Sequence, residues 1–569
     1  MSLLLITLIS ISILLAGYFF YGKFIANVFG LTKENITPAC KINDGSDFVP
    51  ASPAILIGQH FAAIAAVGPI AGPILAGSLY GWLPSLLWIA IGAVFIGGVH
   101  DFSALVASIR HDAKSVAEVV KLYIGQKAYF LFLIFIWISL LYVIVVFTDL
   151  TAGAFVSRPE LGEENFGPGV ATSSFLYLGL ALLMGFCLYR WNWSLKKASF
   201  IFIPLVFLII FLGQQIPIEL PPILGSSRKS WDFLILIYCF IASVIPLWTL
   251  LQPRGYLGAT ILYATFIVGV LGTLFGGFEI QYPALIHPET ADTPRLPIFP
   301  LLFTTIACGA CSGFHGLVSS GTTSKQLRQE PDAKAVGYGG MLLESFVAIV
   351  ALSTVMILPI NDQTLSLGPD EIYARGLAHF MALFGMSFGA AVTFGKLAFA
   401  TFIYDTLDVA TRLGRYIFQE LTGLKGKFGA FLATFFTLFF PGILIMIEVK
   451  GINGKIIPLW KIFWPVFGAT NQLLAALTLL GITVWLKKSG KKWWVTALPT
   501  LFMLVTTLGS LILIIKPWLL GILKRGPVFH PVGTTAFLLF ILALILLIQA
   551  LPKLIQKSVS TQSSLENKI

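Results

Sequence analysis

Apolar stretches of about twenty residues follow one another along almost the whole chain, parted by short polar loops. That length predicts helices crossing a bilayer, because a hydrocarbon core of about 30 Å takes about 20 residues at about 1.5 Å each. Fifteen are predicted, at approximately 3–29, 52–77, 81–109, 127–156, 173–190, 195–213, 231–251, 254–277, 296–322, 336–360, 378–410, 427–448, 459–486, 493–515 and 533–555. The polar stretches between them reach roughly twenty residues, too few for a soluble domain, so 1–569 reads as one all-α polytopic membrane domain. The opening MSLLLITLISISILLAGYFFYGK has no basic leader and meets its first charge at Lys23, which predicts a retained first helix.

Two segments depart from the pattern. In LPIFPLLFTTIACGACSGFHGLVSSGTT, residues 296–323, Gly309, Gly313, Gly316 and Gly321 fall among His315, Ser319, Ser320, Thr322 and Thr323. Glycine weakens a helix, and imidazole and hydroxyls do not belong against lipid. The stretch predicts a broken membrane helix whose freed N–H and C=O groups line a polar cavity. LIGQHFAAIAAVGPIAGPILA, residues 56–76, has the same character, with His60, Gly68-Pro69 and Gly72-Pro73. Interrupted apolar segments in separate halves of a chain point to a transporter's binding site. The competing reading is a pair of kinked, glycine-rich packing helices.

Loop charges order the topology. Arg110, Lys114 and Lys121 share one loop, Arg190, Lys196 and Lys197 another, Arg412, Arg415, Lys425 and Lys427 a third, and Lys487, Lys488, Lys491 and Lys492 a fourth. Alternate loops collect Glu160, Glu163 and Glu164, then Glu279, Glu289 and Asp292, then Asp362, Asp370 and Glu371. With fifteen helices the basic loops all lie on one side, which the Lys/Arg bias makes cytoplasmic, leaving the N-terminus outside and the C-terminus inside. Lys516, Lys524 and Arg525 fall on the outer side against that rule. The segments 52–77 and 296–322 then run in opposite senses and head inverted units.

Composition agrees: the 569 residues are 57% hydrophobic and 11% charged, against about 25% charged in a soluble domain. The net charge of +11 sits in short loops, with no basic domain to grip nucleic acid. Cys40, Cys187, Cys239, Cys308 and Cys311 are scattered; the single C-x-x-C at 308–311 reads as small packing residues, and no metal site or cofactor is expected.

Candidate chemistry lies in the membrane. His60 and His315, one in each broken segment, could approach one cavity and bind a carboxylate or relay a proton; the alternative is a neutral ring bonded to a freed carbonyl. His100, His111, His287, His379 and His530, near helix ends or in loops, read as structural. Glu344 and Asp101 are placed about 12 Å inside their helices, where a charge must face a cavity, pair or be protonated. Glu344 is the first candidate for carrying a proton; Asp101 is a second, or else one half of an ion pair near the inner face. Asp405, Asp408 and Arg412 form a third group, with Asp408 and Arg412 at i,i+4 spacing as a mutually neutralising pair near an inner gate. Asp149 reads as interfacial, and Asn471 and Gln472 as helix-packing hydrogen bonders. Ser319, Ser320, Thr322 and Thr323 could instead coordinate Na⁺. No H-E-x-x-H and no G-x-x-x-x-G-K-[ST] occurs, against an enzyme of the first type and an ATP-driven pump of the second. The polar breaks are localised, where a channel would want a continuous pore. Secondary active transport leads.

The chain also resembles the CstA (carbon starvation protein A) family of bacterial inner-membrane transporters. GQHFAAIAAVGPIAGPILA with DFSALVASIR at 101–110 is similar to one family block, and FPLLFTTIACGACSGFHGLVSSGTTSKQL with GYGGMLLESFVAIVAL at 337–352 to a second. TLDVATRLGRYIFQEL at 406–421 and FWPVFGATNQLLAALTL at 463–479 resemble later ones. The likeness covers roughly 50–480. It implies proton-driven uptake of peptides in carbon starvation, or of pyruvate, with sodium coupling left open by the residues. It also implies a LeuT-like (APC) core of two inverted five-helix units at approximately 50–486. Peripheral helices would be 1–30 and 493–555, with two extra helices within 173–277. On that reading His60, Gly68, Gly72, Gly309, Gly313, His315, Ser319 and Ser320 line the substrate site, the glycines opening backbone N–H groups to a substrate carboxylate. Glu344, Asp101, Thr322, Thr323, Asp408 and Arg412 would couple the ion.

Overall fold

Long apolar helices account for most of the computed structural model, which describes the chain except residues 45–47, 158–165, 247–248, 287–296, 450–455, 526–529 and 557–569. Among the described residues eleven helices are long and apolar enough to cross a membrane, or twelve when Pro53–Ile64 and Gly68–Tyr80, bent by 50° at their junction, count as one. The expected fifteen included three segments without a plain apolar span. Ser227–Val244 carries Arg228, Lys229 and Asp232, Ile298–Thr305 and Gly313–Gly321 are separate short helices, and Phe388–Thr422 holds a string of charges.

The segment expected at 378–410 is not one helix. Pro369–Ala382 ends before Phe388–Thr422 begins, with Gly385 left-handed at φ 74° and Ser387 extended ahead of the new helix. The apolar pattern runs unbroken through this turn, so hydropathy alone could not place it. The helix expected at 336–360 starts earlier, at Glu330, through a π-helical turn at Lys334–Tyr338, and so carries Glu344 near its midpoint. The last two expected helices are Trp494–Arg525 and Pro531–Ile555, so Lys516 lies within a helix. The acids Glu160, Glu163, Glu164, Glu289 and Asp292, and His287, lie outside the described residues, as do the side chains of Lys524 and Arg525.

Leu459–Lys488 is the central post: its most apolar window is wholly buried by its neighbours. Gln126–Phe155 and Trp494–Arg525 pack along it, and Phe388–Thr422 along Gln126–Phe155. Hydroxyls inside the bundle turn back onto their own helices, as Ser139 does to the Phe135 carbonyl at 2.8 Å and Thr483 to that of Leu479 at 2.7 Å, which satisfies them without water.

Contacts sort the loops onto two faces. On one, Arg110 reaches the Phe29 and Gly30 carbonyls and Glu330, Lys488 the Tyr123 carbonyl, and Tyr129 hydrogen-bonds Glu420. On the other, the Ile280 N–H bonds the Met1 carbonyl and the Gln281 N–H that of Met356. The expected basic loops at 110–121, 412–427 and 487–492 therefore share a face.

Candidate functional site

Both interrupted segments are broken, and the breaks face each other. The first helix stops at Ile64 and restarts at Gly68; the second stops at Thr305 and restarts at Gly313. They run antiparallel: His60 meets Thr323, Gly68 lies against Cys308, and Gly72 against the Thr305 carbonyl.

A break frees backbone groups that lipid cannot satisfy. Here neighbouring side chains meet them. The Phe303 and Ile306 carbonyls each accept from the Trp88 indole, both at 3.1 Å, and from the Gln472 amide, at 2.7 and 3.2 Å. The Trp464 indole donates to the Thr305 carbonyl at 3.3 Å. Asn471 accepts from the Phe314 N–H at 3.0 Å, which fixes its Oδ1, and its amide donates to Ser312 Oγ and Cys308 Sγ. Asn471 and Gln472 are the hydrogen bonders expected of them, directed at the break itself.

Beside the break stands a wholly buried titratable set. His315 Nδ1 lies 2.8 Å from Asp101 Oδ2, and His100 Nδ1 2.8 Å from Asp101 Oδ1. On its other side His315 Nε2 lies 3.2 Å from Glu344 Oε2, close but not aligned as a hydrogen bond, so both Glu344 oxygens lack a hydrogen-bond partner. His60 faces the same centre, with Nδ1 2.9 Å from Thr323 Oγ1 and Nε2 without a partner. Four helical segments thus deliver one side chain or more to this centre, of which His100 and His315 touch Asp101 itself. No group of three His, Cys, Asp or Glu residues among the described residues is placed to hold a metal ion.

Several expectations change. Asp101 pairs with imidazoles, not with a basic residue at the inner face. His100, read as structural, belongs to the centre; its adjacency to Asp101 was the available signal. Ser319 is buried with its hydroxyl unpartnered, while Ser320 donates to the Gly316 carbonyl at 2.7 Å. Thr322 is exposed and bonds its own helix at Val318, so it stands apart from the set. The glycines are filled by protein: a Cβ on Gly68 would lie 2.4 Å from Cys308 Sγ, on Gly72 2.8 Å from the Thr305 oxygen, on Gly309 2.6 Å from Ala348 Cβ, and on Gly313 2.4 Å from the Asn471 oxygen. They serve close helix approach here rather than opening backbone to a ligand. A G-x-S-x-G string occurs at Gly385–Gly389; it spans the exposed turn after Pro369–Ala382 and the first two residues of Phe388–Thr422, with no strand leading into it.

A second buried cluster was half seen. The partner of Asp408 is Arg254, at 2.6 Å, and Arg254 also holds Asp405 through Nε at 3.1 Å. Tyr238 donates to Asp408 at 2.9 Å, and the guanidinium lies within 6 Å of the Tyr238 and Tyr404 rings. Arg412 is not the neutralising partner. It donates to the Ala242 and Ile245 carbonyls, and Arg415 to that of Ser243, so the two cap the C-terminal end of Ser227–Val244. The i,i+4 spacing misled because Arg254, 151 residues from Asp405, wins the carboxylates. Asp149 is also more than interfacial: buried, it pairs with Arg228 at 2.6 Å and accepts from the Trp460 N–H at 2.7 Å.

A helical bundle with this many apolar spans, closed around buried carboxylates and imidazoles at two helix breaks, defines a multi-pass membrane protein with a polar centre. The carbon starvation protein CstA profile matches residues 2–367 and 361–510. The chain belongs to that family. It is 35% identical to the Helicobacter pylori (strain ATCC 700392 / 26695) protein named peptide transporter CstA, over 88% of this chain and 80% of that one. It is 32% identical to the Escherichia coli (strain K12) peptide transporter CstA, over 89% and 80%. It is also 32% identical to the E. coli pyruvate/proton symporter BtsT, over 90% and 81%. Among solved structures, a mutant Eremococcus coleocola manganese transporter aligns over 90% of this chain and 98% of its own at 12% identity, with a TM-score of 0.46.

Proposed function

We propose that this chain is a secondary active transporter that imports peptides across the bacterial inner membrane by proton symport, with the centre around Asp101 as its coupling site. The observation that carries the reading is the convergence of two antiparallel broken helices on one buried set, His60 and Thr323 on one side and His315 with Asp101 and Glu344 on the other. Interrupted helices of opposite sense are the arrangement of inverted-repeat transporters. A LeuT-like pairing of five-helix units fits the packing. Gln126–Phe155 lies on Leu459–Lys488 as Phe388–Thr422 lies on Leu251–Phe275, the counterpart contacts of two inverted halves. The helices extra to such a core are then Gly167–Tyr189 and Leu195–Gln215. The core is approximately 50–486, and the shared basic face is cytoplasmic, leaving the N-terminus outside.

Charge counting gives the set its role. Two carboxylates, Asp101 and Glu344, face one imidazolium at His315, so the set is neutral only with one proton more. A buried net charge is expensive in a membrane. Loading that proton on Glu344 from one side and releasing it to the other couples the gradient to the switch between access states. Arg254, Asp405 and Asp408 repeat the ratio of two carboxylates to one cation, and Asp405 is the partly exposed member. Asp408 is the second candidate for coupling, and the Arg412 and Arg415 caps belong to the inner gate. Ser319, Thr323 and His60 are the groups left to meet substrate.

Pyruvate is the second reading. It is favoured by the similarity to the symporter named for it; the carboxylate that pyruvate and a peptide C-terminus share does not separate the two. The test is uptake into proteoliposomes under an imposed pH or Na⁺ gradient, with labelled pyruvate and labelled dipeptide, each competed by di- and tripeptides. Proton-driven, peptide-competed uptake is the expected result; uptake indifferent to both gradients would sink the symporter, and pyruvate uptake that peptides do not compete would move the substrate to the second reading.

A further inference from the structure

The first helix, Leu3–Phe29, leaves an apolar groove of about 340 Å³ between itself and Glu330–Met356, walled by Leu14, Leu15, Tyr18, Leu342, Leu343 and Phe346. Leu15 and Leu343 are exposed at its mouth, which in a membrane-spanning bundle means exposed to lipid. The groove does not end in neutral surface. Lys334 stands at one end with Nζ 4.2 Å above the Tyr18 ring, and its stem packs beside Gly22, where a Cβ would lie 3.4 Å from Lys334 Cε. Gly22 immediately precedes the exposed Lys23, so two ammonium groups lie within repelling range of each other. Neither has an ion-pair partner among the described residues, although Glu330 nearby is taken up by Arg110.

From Lys334 to Phe346 the groove runs about 18 Å at about 1.5 Å per residue, close to the roughly 15 Å that one leaflet of a 30 Å core supplies. Depth and charge together select the occupant. A zwitterionic lipid would satisfy the apolar wall but would bring its own cation to the lysine pair; an anionic headgroup neutralises both, as basic pockets beside membrane helices do. The larger groove on the opposite flank of the first helix, beside Trp494, lacks this feature, because Lys491 is engaged by the Phe29 carbonyl and Lys487 by that of Leu554. We propose that the groove between Leu3–Phe29 and Glu330–Met356 binds one anionic phospholipid, its acyl chain along Leu14, Leu342 and Phe346 and its phosphate between Lys23 and Lys334.

The lipid would brace the first helix against the helix that carries Glu344, a role independent of what is transported. The test is native mass spectrometry of the detergent-purified full chain titrated with phosphatidylglycerol or phosphatidylcholine of matched chains. Wild type is expected to hold one phosphatidylglycerol at least about fivefold more tightly than phosphatidylcholine. Lys23→Gln with Lys334→Gln should bring that ratio to about one, and Leu343→Trp, which fills the mouth, should weaken both lipids. Equal binding of the two lipids by wild type, or a preference that survives the double lysine variant, overturns the proposal. If Leu343→Trp does not fold, the lysine variant, confined to the rim, still decides.

Discussion

Asp101 and His315 meet at 2.8 Å although they stand 214 positions apart in the chain, and each carries a further partner on its far side, His100 for Asp101 and Glu344 for His315. The order His100–Asp101–His315–Glu344 sets four fully buried titratable side chains in a row, hydrogen-bonded as far as His315, with Glu344 3.2 Å beyond it and unaligned.

The end of that line makes the sharpest prediction. Glu344→Gln keeps the size of the side chain but cannot carry the extra proton, and it leaves His315 and Asp101 as a neutral pair. Uptake against a gradient should fall by at least about tenfold, the change that about 1.4 kcal/mol makes, while exchange of labelled for unlabelled substrate at zero gradient persists. Full gradient-driven uptake by this variant removes Glu344 as the proton carrier.

Gly340 governs the opposite wall. A Cβ there would sit 2.8 Å from His60 Cδ2, nearer than packed carbons come, so Gly340→Ala must shift the ring and stretch its bond to Thr323. Transport is expected to drop with little loss of thermal stability, and His60→Ala in the same background should add nothing further. Additive losses measured in a double-mutant cycle would show that the two residues act separately.

Much of this was legible before any coordinates. Gly-Pro pairs and a histidine in one segment, glycines and hydroxyls in the other, marked the two breaks because few other reasons exist to interrupt an apolar helix with such residues. What sequence could not supply was pairing across the fold. The Asp408–Arg412 spacing fitted a helical pair, yet Arg254 takes Asp408, since a guanidinium held between tyrosine rings reaches two carboxylates at once. The 383–387 turn escaped for a different reason: Leu383, Phe384 and Met386 are apolar but exposed, so hydropathy reads them as continuous helix. The glycines misled about purpose, because room for a ligand and room for a neighbouring helix look alike in one dimension.

Arg254 should be the most costly single charge to remove. Arg254→Met would leave Asp405 and Asp408 facing each other without a cation, and breaking a buried pair from one side costs about 3–5 kcal/mol. The expected readout is a large fall in melting temperature in detergent. Adding Asp405→Asn and Asp408→Asn should restore most of it, because the remaining groups are then neutral. A triple variant no more stable than Arg254→Met would mean that the guanidinium matters for packing rather than charge.

The backbone of the second break gives the last prediction. Gln472 and Trp88 both donate to the Phe303 and Ile306 carbonyls, so either alone leaves each carbonyl one donor. Asn471 has no such understudy: its Oδ1 is the acceptor for the Phe314 N–H at the start of Gly313–Gly321. Gln472→Leu should therefore cost less than Asn471→Leu, which strands a buried donor at about 1–3 kcal/mol. The Asn471 change also frees the Phe314 N–H, two residues from Gly316, whose Cβ position lies 3.2 Å from the His100 ring. Transport by Asn471→Leu is accordingly expected to fall further than its stability loss alone accounts for, and Asn471→Asp, which keeps the acceptor, should recover part of it. Equal stability losses in Gln472→Leu and Asn471→Leu would contradict the assignment of these two side chains to separate duties at the break.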